Sequence, residues 1–144
     1  MSEEIITLKK VFPNFSNDLI QEIEANSSFQ NFKTGEVIMR TGQYIKNTIL
    51  ILKGQIKIYR EGEDGEEFLM YYLQPGQACA ISLICSTKNK TSQITAKVVE
   101  DVEAVAIPLN LMDKWMMNHR SWYEFVISTY RTRFEEVLEV IDNI

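Results

Sequence analysis

The sequence predicts a mainly β domain with flanking helices, of the sandwich, barrel or jelly-roll type. Between Phe29 and Ile107, short apolar or alternating runs are separated by turn residues at roughly 8–12-residue intervals, the rhythm of such folds. On either side of that stretch the apolar period lengthens to that of a helix. The totals agree with a folded chain: 144 residues, 45% apolar and 24% charged. That length favours one domain with a real core, and the composition is ordinary for a globular protein.

Residues 5–26 read as two helices separated by Pro13, which cannot continue a helix. Ser16 or Asn17 caps the second, with Leu19, Ile20 and Ile23 on its apolar face, and Asn26-Ser27-Ser28 closes it. Phe29 to Lys33 leads into a Thr34-Gly35 turn, and Val37 to Arg40 leads into Thr41-Gly42. Thr48 to Leu52 is an apolar run expected to end at Lys53-Gly54. Gln55 to Arg60 alternates as a half-buried strand does. Glu61 to Gly65 is a hairpin loop whose glycines accept positive φ. Phe68 to Leu73 is the next strand, closed by Gln74-Pro75-Gly76. Residues 93–99 and 102–107 form a last pair joined by Glu100-Asp101. After Pro108, Leu109 to Met117 is a short amphipathic helix. A long helix, capped by Ser121 with Glu124 at the capping-box position, then runs to Ile144.

The long helix carries a second pattern. Ile127, Tyr130, Phe134, Val137, Ile141 and Ile144 recur at alternating steps of three and four, an a/d seam. Trp122, Phe125, Val126 and Leu138 form a separate apolar set. One set is expected to pack on the β-domain and the seam on a second copy of the chain, making a homodimer; the alternative is that both stripes belong to one intramolecular core.

Charge and residue usage exclude several classes of function. The net charge is -5, whereas a chain that grips nucleic acid by itself presents a basic face. No apolar run reaches the length of a membrane span. Met1-Ser2-Glu3-Glu4 lacks the layout of a secretory signal. Two cysteines, Cys79 and Cys85, are too few for a disulfide framework. A cytoplasmic protein is expected, with no membrane contact. The only histidine, His119, lies in the polar turn Asn118-His119-Arg120. A metal site or a nucleophile–histidine pair inside the β-domain therefore has no support, and neither a catalytic residue nor a cofactor is expected. The carboxylates from Glu61 to Glu67 read as a solvated cluster.

Several local motifs, in order, resemble the Crp/Fnr family of bacterial regulators across nearly the whole chain. Phe12-Pro13 before a capped helix looks like the family's opening segment. Phe32-Lys33-Thr34-Gly35-Glu36-Val37-Ile38 resembles its "K-x-G-E" strand turn. Leu52-Lys53-Gly54-Gln55-Ile56-Lys57-Ile58-Tyr59 is similar to its "hKGxhKhY" hairpin. Leu73-Gln74-Pro75-Gly76-Gln77 looks like the "L-x-P-G-E" that opens the ligand segment. Val99-Glu100-Asp101-Val102-Glu103 through Ile107-Pro108 resembles its "A-x-E-D" hairpin and the "I-P" before the helices.

The resemblance implies a double-stranded β-helix, or jelly-roll barrel, over residues 29–108. N-terminal helices over 1–28 would precede it, and a short helix and long dimerisation helix over 109–144 would follow. It implies a single sensor domain for a small-molecule effector, with DNA contacted only through a winged helix-turn-helix that this chain lacks, either by truncation or by nature. In cAMP-binding members an Arg pairs with the cyclic phosphate, a short helix N-terminus caps it and a Glu accepts from the ribose. Aligned to that cassette, its Gly falls on Ala80, its Glu on Ile81, its Arg on Ser92 and its Ser/Thr on Gln93. Weak or no cAMP binding is therefore expected, since a buried phosphate without its cation is strongly penalised. Lys88 and Lys90 read as solvated loop lysines. An effector pocket would be lined by Gln77, Ala78, Cys79, Ala80, Ile81, Ser82, Ser92 and Gln93. Cys79 and Cys85 flank the cassette, either as a thiol switch or as small apolar fillers. Two rival functions stand beside the sensor: a standalone ligand-binding or interaction module that never touches DNA, and a cupin-type metal enzyme on the same architecture.

Overall fold

Two serines set where the chain first becomes helical. Ser2 and Ser16 have extended backbone angles, and each hydroxyl accepts from the N–H three residues on, Ile5 and Leu19, both at 3.2 Å. Each bond satisfies one orphan donor of a first turn. The helices α1 (Glu3–Val11) and α2 (Asn17–Asn26) follow. The computed structural model describes residues 2–84 and 92–143, without the side chains of Ile81 and Ile84. Cys85, Lys88, Lys90 and Ile144 lie outside the described residues.

The strands are β1 (Ser28–Phe32), β2 (Val37–Met39), β3 (Asn47–Glu61), β4 (Glu67–Leu73) and β5 (Thr95–Pro108), with helix α3 (Ala80–Ile84) between β4 and β5. All pairings are antiparallel. β5 pairs with β1, β2 and β3, and β3 also pairs with β4. The fold is mainly β and jelly-roll-like, with flanking helices and a long C-terminal helix. Its sheet is open rather than a closed barrel: among the described residues β1 and β4 are not joined.

The expected break at Lys53-Gly54 and the expected pair of strands around Glu100-Asp101 are both corrected. β3 runs through the first and β5 through the second as continuous strands of 15 and 14 residues. The register between them slips at Ile51, Lys53 and Gln55, so both strands bend through bulges rather than stop. Gly54 makes the bend possible. Its φ is +91°, and a Cβ there would lie 2.1 Å from the Asp101 carbonyl oxygen.

Alternation along these strands divides the core. Leu50, Leu52, Val105 and Ile107 face the helices and pack with Leu8, Leu19, Ile23, Trp115 and Trp122. Ile51, Ile56, Ile58, Val98, Val102 and Ala104 face the inside of the roll with Leu73 and Ile94. Both faces of the first half of β3 are thus covered, which is why residues 49–52 are apolar without interruption.

After a 3-10 turn at Leu109–Leu111 come α4 (Met112–Asn118) and α5 (Arg120–Asp142). Trp115 and Trp122 are fully buried and meet edge to face, ring centroids 5.4 Å apart. Ser121 does not cap α5. The cap residue is His119, without a side-chain bond, while the Ser121 hydroxyl accepts from the Ser16 N–H at 3.0 Å and ties α5 to α2. Glu124 pairs with Arg120 instead of closing a capping box. Among the described residues, no helix is long and apolar enough to cross a membrane.

Asp101 at the bend gives a pH-dependent contribution. Its Oδ1 accepts from the Thr34 N–H and hydroxyl, both at 2.8 Å. Those bonds, with a smaller effect from Lys33, hold its carboxyl below the usual carboxylate range. A depressed folded-state pKa stabilises the fold above the unfolded pKa, and that contribution is lost as pH falls through the folded value. Denaturant titrations are expected to show Asp101→Ala less stable than the parent at neutral pH, with the gap closing in acid.

Candidate functional site

The segment after β4 is fixed before it reaches α3. Gly76 takes φ +87°, and its N–H donates to the Ile51 carbonyl at 2.9 Å, while the Ile51 N–H donates to the Gln77 carbonyl at 3.0 Å. The Gln77 side-chain oxygen accepts from the Gln74 N–H at 3.0 Å, so this exposed residue braces its own turn. Ala78 is fully buried, bridged to Leu50. Cys79 is half-buried and Ala80 buried. The Ser82 hydroxyl donates to the Cys79 carbonyl at 2.9 Å; its single proton being used there, Thr48 donates to it.

Ser92 and Gln93 enter from the other side of the roll. The Ser92 side chain is 2% exposed. Its hydroxyl donates to the Ile94 carbonyl at 2.7 Å and accepts the Ile94 N–H at 3.1 Å, a local serine turn. Gln93 is exposed. Gln77 to Ala80 and Ser82 therefore form one continuous segment, Ser92 is held in a turn of its own, and the side chain of Ile81 lies outside the described residues.

The long helix closes over this segment through residues that the sequence reading did not place in the site. The Tyr130 hydroxyl donates to the Ala80 carbonyl, so Tyr130 of the expected seam turns toward α3 rather than away from the domain. One turn on, the Arg133 guanidinium lies 3.7 Å from the centre of the Tyr71 ring, a cation–π stack. The Arg133 Nη1 donates to both carboxylate oxygens of Glu136, at 3.0 and 3.1 Å, while its Nε is buried without a hydrogen-bond partner. The Tyr71 hydroxyl is 3.7 Å from the Cys79 sulfur. Burial above all, with Cys79 beside it, pushes the Tyr71 phenol well above its usual range, so it stays neutral and polar at this boundary. The signal for Arg133 was present in the sequence: it is a charged residue on the same helix ridge as the buried Trp122 and Val126.

The remaining seam residues point outward. Ile127, Phe134, Val137 and Ile141 are all exposed, as are Leu138 and Val140; Ile144 is outside the described residues. His119 is half-buried at the α4–α5 junction, edge-on to Trp115 with centroids 6.3 Å apart. Among the described residues, no three His, Cys, Asp or Glu side chains are placed to hold a metal ion.

Residues 29–119 match the cyclic nucleotide-binding domain family. The chain belongs to that family. The cyclic nucleotide-binding domain described here shares its fold with the sensor domain of the transcriptional regulator DNR from Pseudomonas aeruginosa, with a TM-score of 0.71 and 17% identity over 95% of this chain and 91% of that one. It is likewise similar to the Thermus thermophilus catabolite activator protein, with a TM-score of 0.73 and 16% identity over 92% of this chain and 61% of that one. In sequence, the domain is 23% identical over 115 residues to the lysophospholipase NTE1 of Cryptococcus neoformans, a match that takes in 80% of this chain. It spans 7% of that relative's length.

Proposed function

We propose that this cyclic nucleotide-binding domain is the effector-sensing part of a homodimeric transcription regulator of the Crp/Fnr type, and that it does not respond to cAMP. The observation that carries the sensor reading is the bond from the Tyr130 hydroxyl to the Ala80 carbonyl. It ties the cassette helix α3 to α5, so an effector that moves α3 changes the free energy of α5 positions directly, a population shift. The exposed stripe of α5 is where a second copy would read that change, and DNA would be reached only through a further domain. The domain acts as a regulatory module, not as an enzyme.

Two features support insensitivity to cAMP. Ser92 stands where the resemblance puts the phosphate-binding arginine, and its hydroxyl is engaged with Ile94. The cassette residues Gln77 to Ala80 and Ser82 carry no charge. A phosphate buried there would lack its counter-ion. Calorimetric titration of the purified chain with cAMP is expected to show no saturable heat in the micromolar range. Micromolar or tighter binding would overturn this reading.

The match to a small part of a much longer lysophospholipase favours one second reading, a binding module within a larger protein that never touches DNA. Sedimentation separates the two, since the regulator reading requires the isolated domain to dimerise through α5.

A further inference from the structure

Outside the roll, the turn between α1 and α2, the Gly76 turn and α5 enclose a groove. One half, of about 340 Å³, is bounded by Phe12 and Phe15, by Gly76, and by Phe125 and Ser128. It continues past Gly76, Phe125 and Ser128 into a second half of about 210 Å³, bounded by Gln77, Thr129, Thr132 and Arg133. Together the halves fall within the size range of small-molecule sites, roughly 300–1,000 Å³.

The halves differ in chemistry. The first is floored by aromatic rings: Phe12 and Phe15 stack with centroids 4.9 Å apart, and Phe125 meets both edge-on at 5.5 and 5.3 Å. The second is lined by two threonines, Gln77 and the Arg133 guanidinium, whose Nη1 is engaged with Glu136. Glu124 is the charged residue bordering the first half and Arg133 the one bordering the second.

We propose that this groove binds a small organic anion. Its carboxylate or phosphate head is held by Arg133 and the Thr132 hydroxyl, the Thr129 hydroxyl being engaged with the Phe125 carbonyl, and its apolar or aromatic body lies over Phe125 toward Phe12 and Phe15. A guanidinium is suited to such heads because it donates two parallel bonds. Glu136, which now accepts from Arg133, is half exposed while the Arg133 side chain is 17% exposed, so a ligand anion would take the place of Glu136 as the partner of a partly buried guanidinium, and that guanidinium is not left unpaired. At the other end the border charge, Glu124, is already paired with Arg120, which leaves Arg133 as the cation on the groove's lining for the head. The occupant touches the turn that leads into the cassette and the helix that the cassette contacts, so it acts on the α3–α5 contact from outside the roll. Binding stands independently of the sensor reading; only that consequence rests on it.

The test is amide NMR of the isotope-labelled domain, titrated with naphthoate and, as a neutral match, naphthamide. Naphthoate is expected to shift Gly76, Gln77, Ser128 and Thr132 saturably, and naphthamide to leave them in place. Arg133→Gln is expected to weaken naphthoate by about tenfold or more, the loss of charge-assisted bonds. Ser128→Trp, at an exposed position where the halves join, is expected to abolish the shifts while the dispersed spectrum persists. No saturable shift at millimolar naphthoate, equal shifts with naphthamide, or shifts that survive Ser128→Trp would each overturn the proposal. Shifts confined to Ile58, Leu73 and Val98 would overturn it too, by placing the anion inside the roll, and would leave the sensor reading standing. Failure of the sensor reading shows separately, in sedimentation.

Discussion

Gly54→Ala is expected to destabilise the domain by about 3–5 kcal/mol, among the largest effects of any single substitution. Two costs combine at this position. A φ of +91° disfavours any residue with a Cβ, by about 1–2 kcal/mol. The new methyl would also sit 2.1 Å from the Asp101 carbonyl oxygen and 2.9 Å from that of Glu100. Both obstacles are backbone, so no side chain can rotate away; β3 and β5 would have to part where each is bent. Gly35→Ala is the matched control. Its φ is +93°, with nothing within 4 Å of the added methyl, so only the conformational cost of about 1–2 kcal/mol applies. Urea denaturation of the two variants decides the matter. Equal losses would remove the steric argument and leave Gly54 as one turn glycine among several.

Phe134→Asp combined with Val137→Asp is expected to turn a dimer into a monomer with its fold intact. Phe134 is 63% exposed and Val137 54%, so neither charge disturbs the core. Past Arg133, α5 extends beyond the body that supports it. Val137 and Val140 lie on the same ridge as the buried Trp122 and Val126, yet both are exposed. Covering side chains of this size contributes about 1.5–3 kcal/mol each. Reversing that at two positions on each of two helices, and setting like charges against one another, is expected to weaken association by a thousandfold or more. Sedimentation equilibrium reads the change, and circular dichroism confirms that the helix persists. A parent chain that stays monomeric would dismiss the seam as an interface.

What could be read from the sequence follows the range of the interactions concerned. The capped helix at Ser16 and the long helix after Pro108 are local patterns, and each stands where expected; the alternation expected over residues 55–60 holds as far as Ile58, where a register shift buries Tyr59 as well. The continuity of β3 through Lys53-Gly54 was not legible, because a glycine inside an apolar run reads locally as a stop. Only the backbone of Glu100-Asp101, far along the chain, turns it into a bulge. Ser121 likewise had the credentials of a helix cap, and lost that role to Ser16, a partner 105 residues away. At the candidate site, the cassette segment was placed by its resemblance to the family's ligand segment, starting from Leu73-Gln74-Pro75-Gly76. Tyr71 and Arg133 were not placed, because their stack joins β4 to α5; the charge of Arg133 on an otherwise apolar ridge was the one local sign of it. Ser82 and Ser92 looked available by residue type, but their hydroxyls are engaged with Thr48, Cys79 and Ile94.

The place of β5 in the sheet governs how the newly made chain spends its time on the ribosome. Among the described strands it is the last to be synthesised, and it pairs with β1, β2 and β3. Ser28 has to wait for Ala106, its partner across the ladder. At about 5–20 residues per second, that interval is roughly 4–16 s. During it, the apolar run of residues 49–52 and the strand edges of β1 and β3 have no ladder to join except the β3–β4 hairpin. Chaperone demand should therefore concentrate in the window between translation of β3 and release of β5. A slowly translated stretch just upstream of Thr95 would lengthen that exposure and raise aggregation without changing one contact of the finished fold.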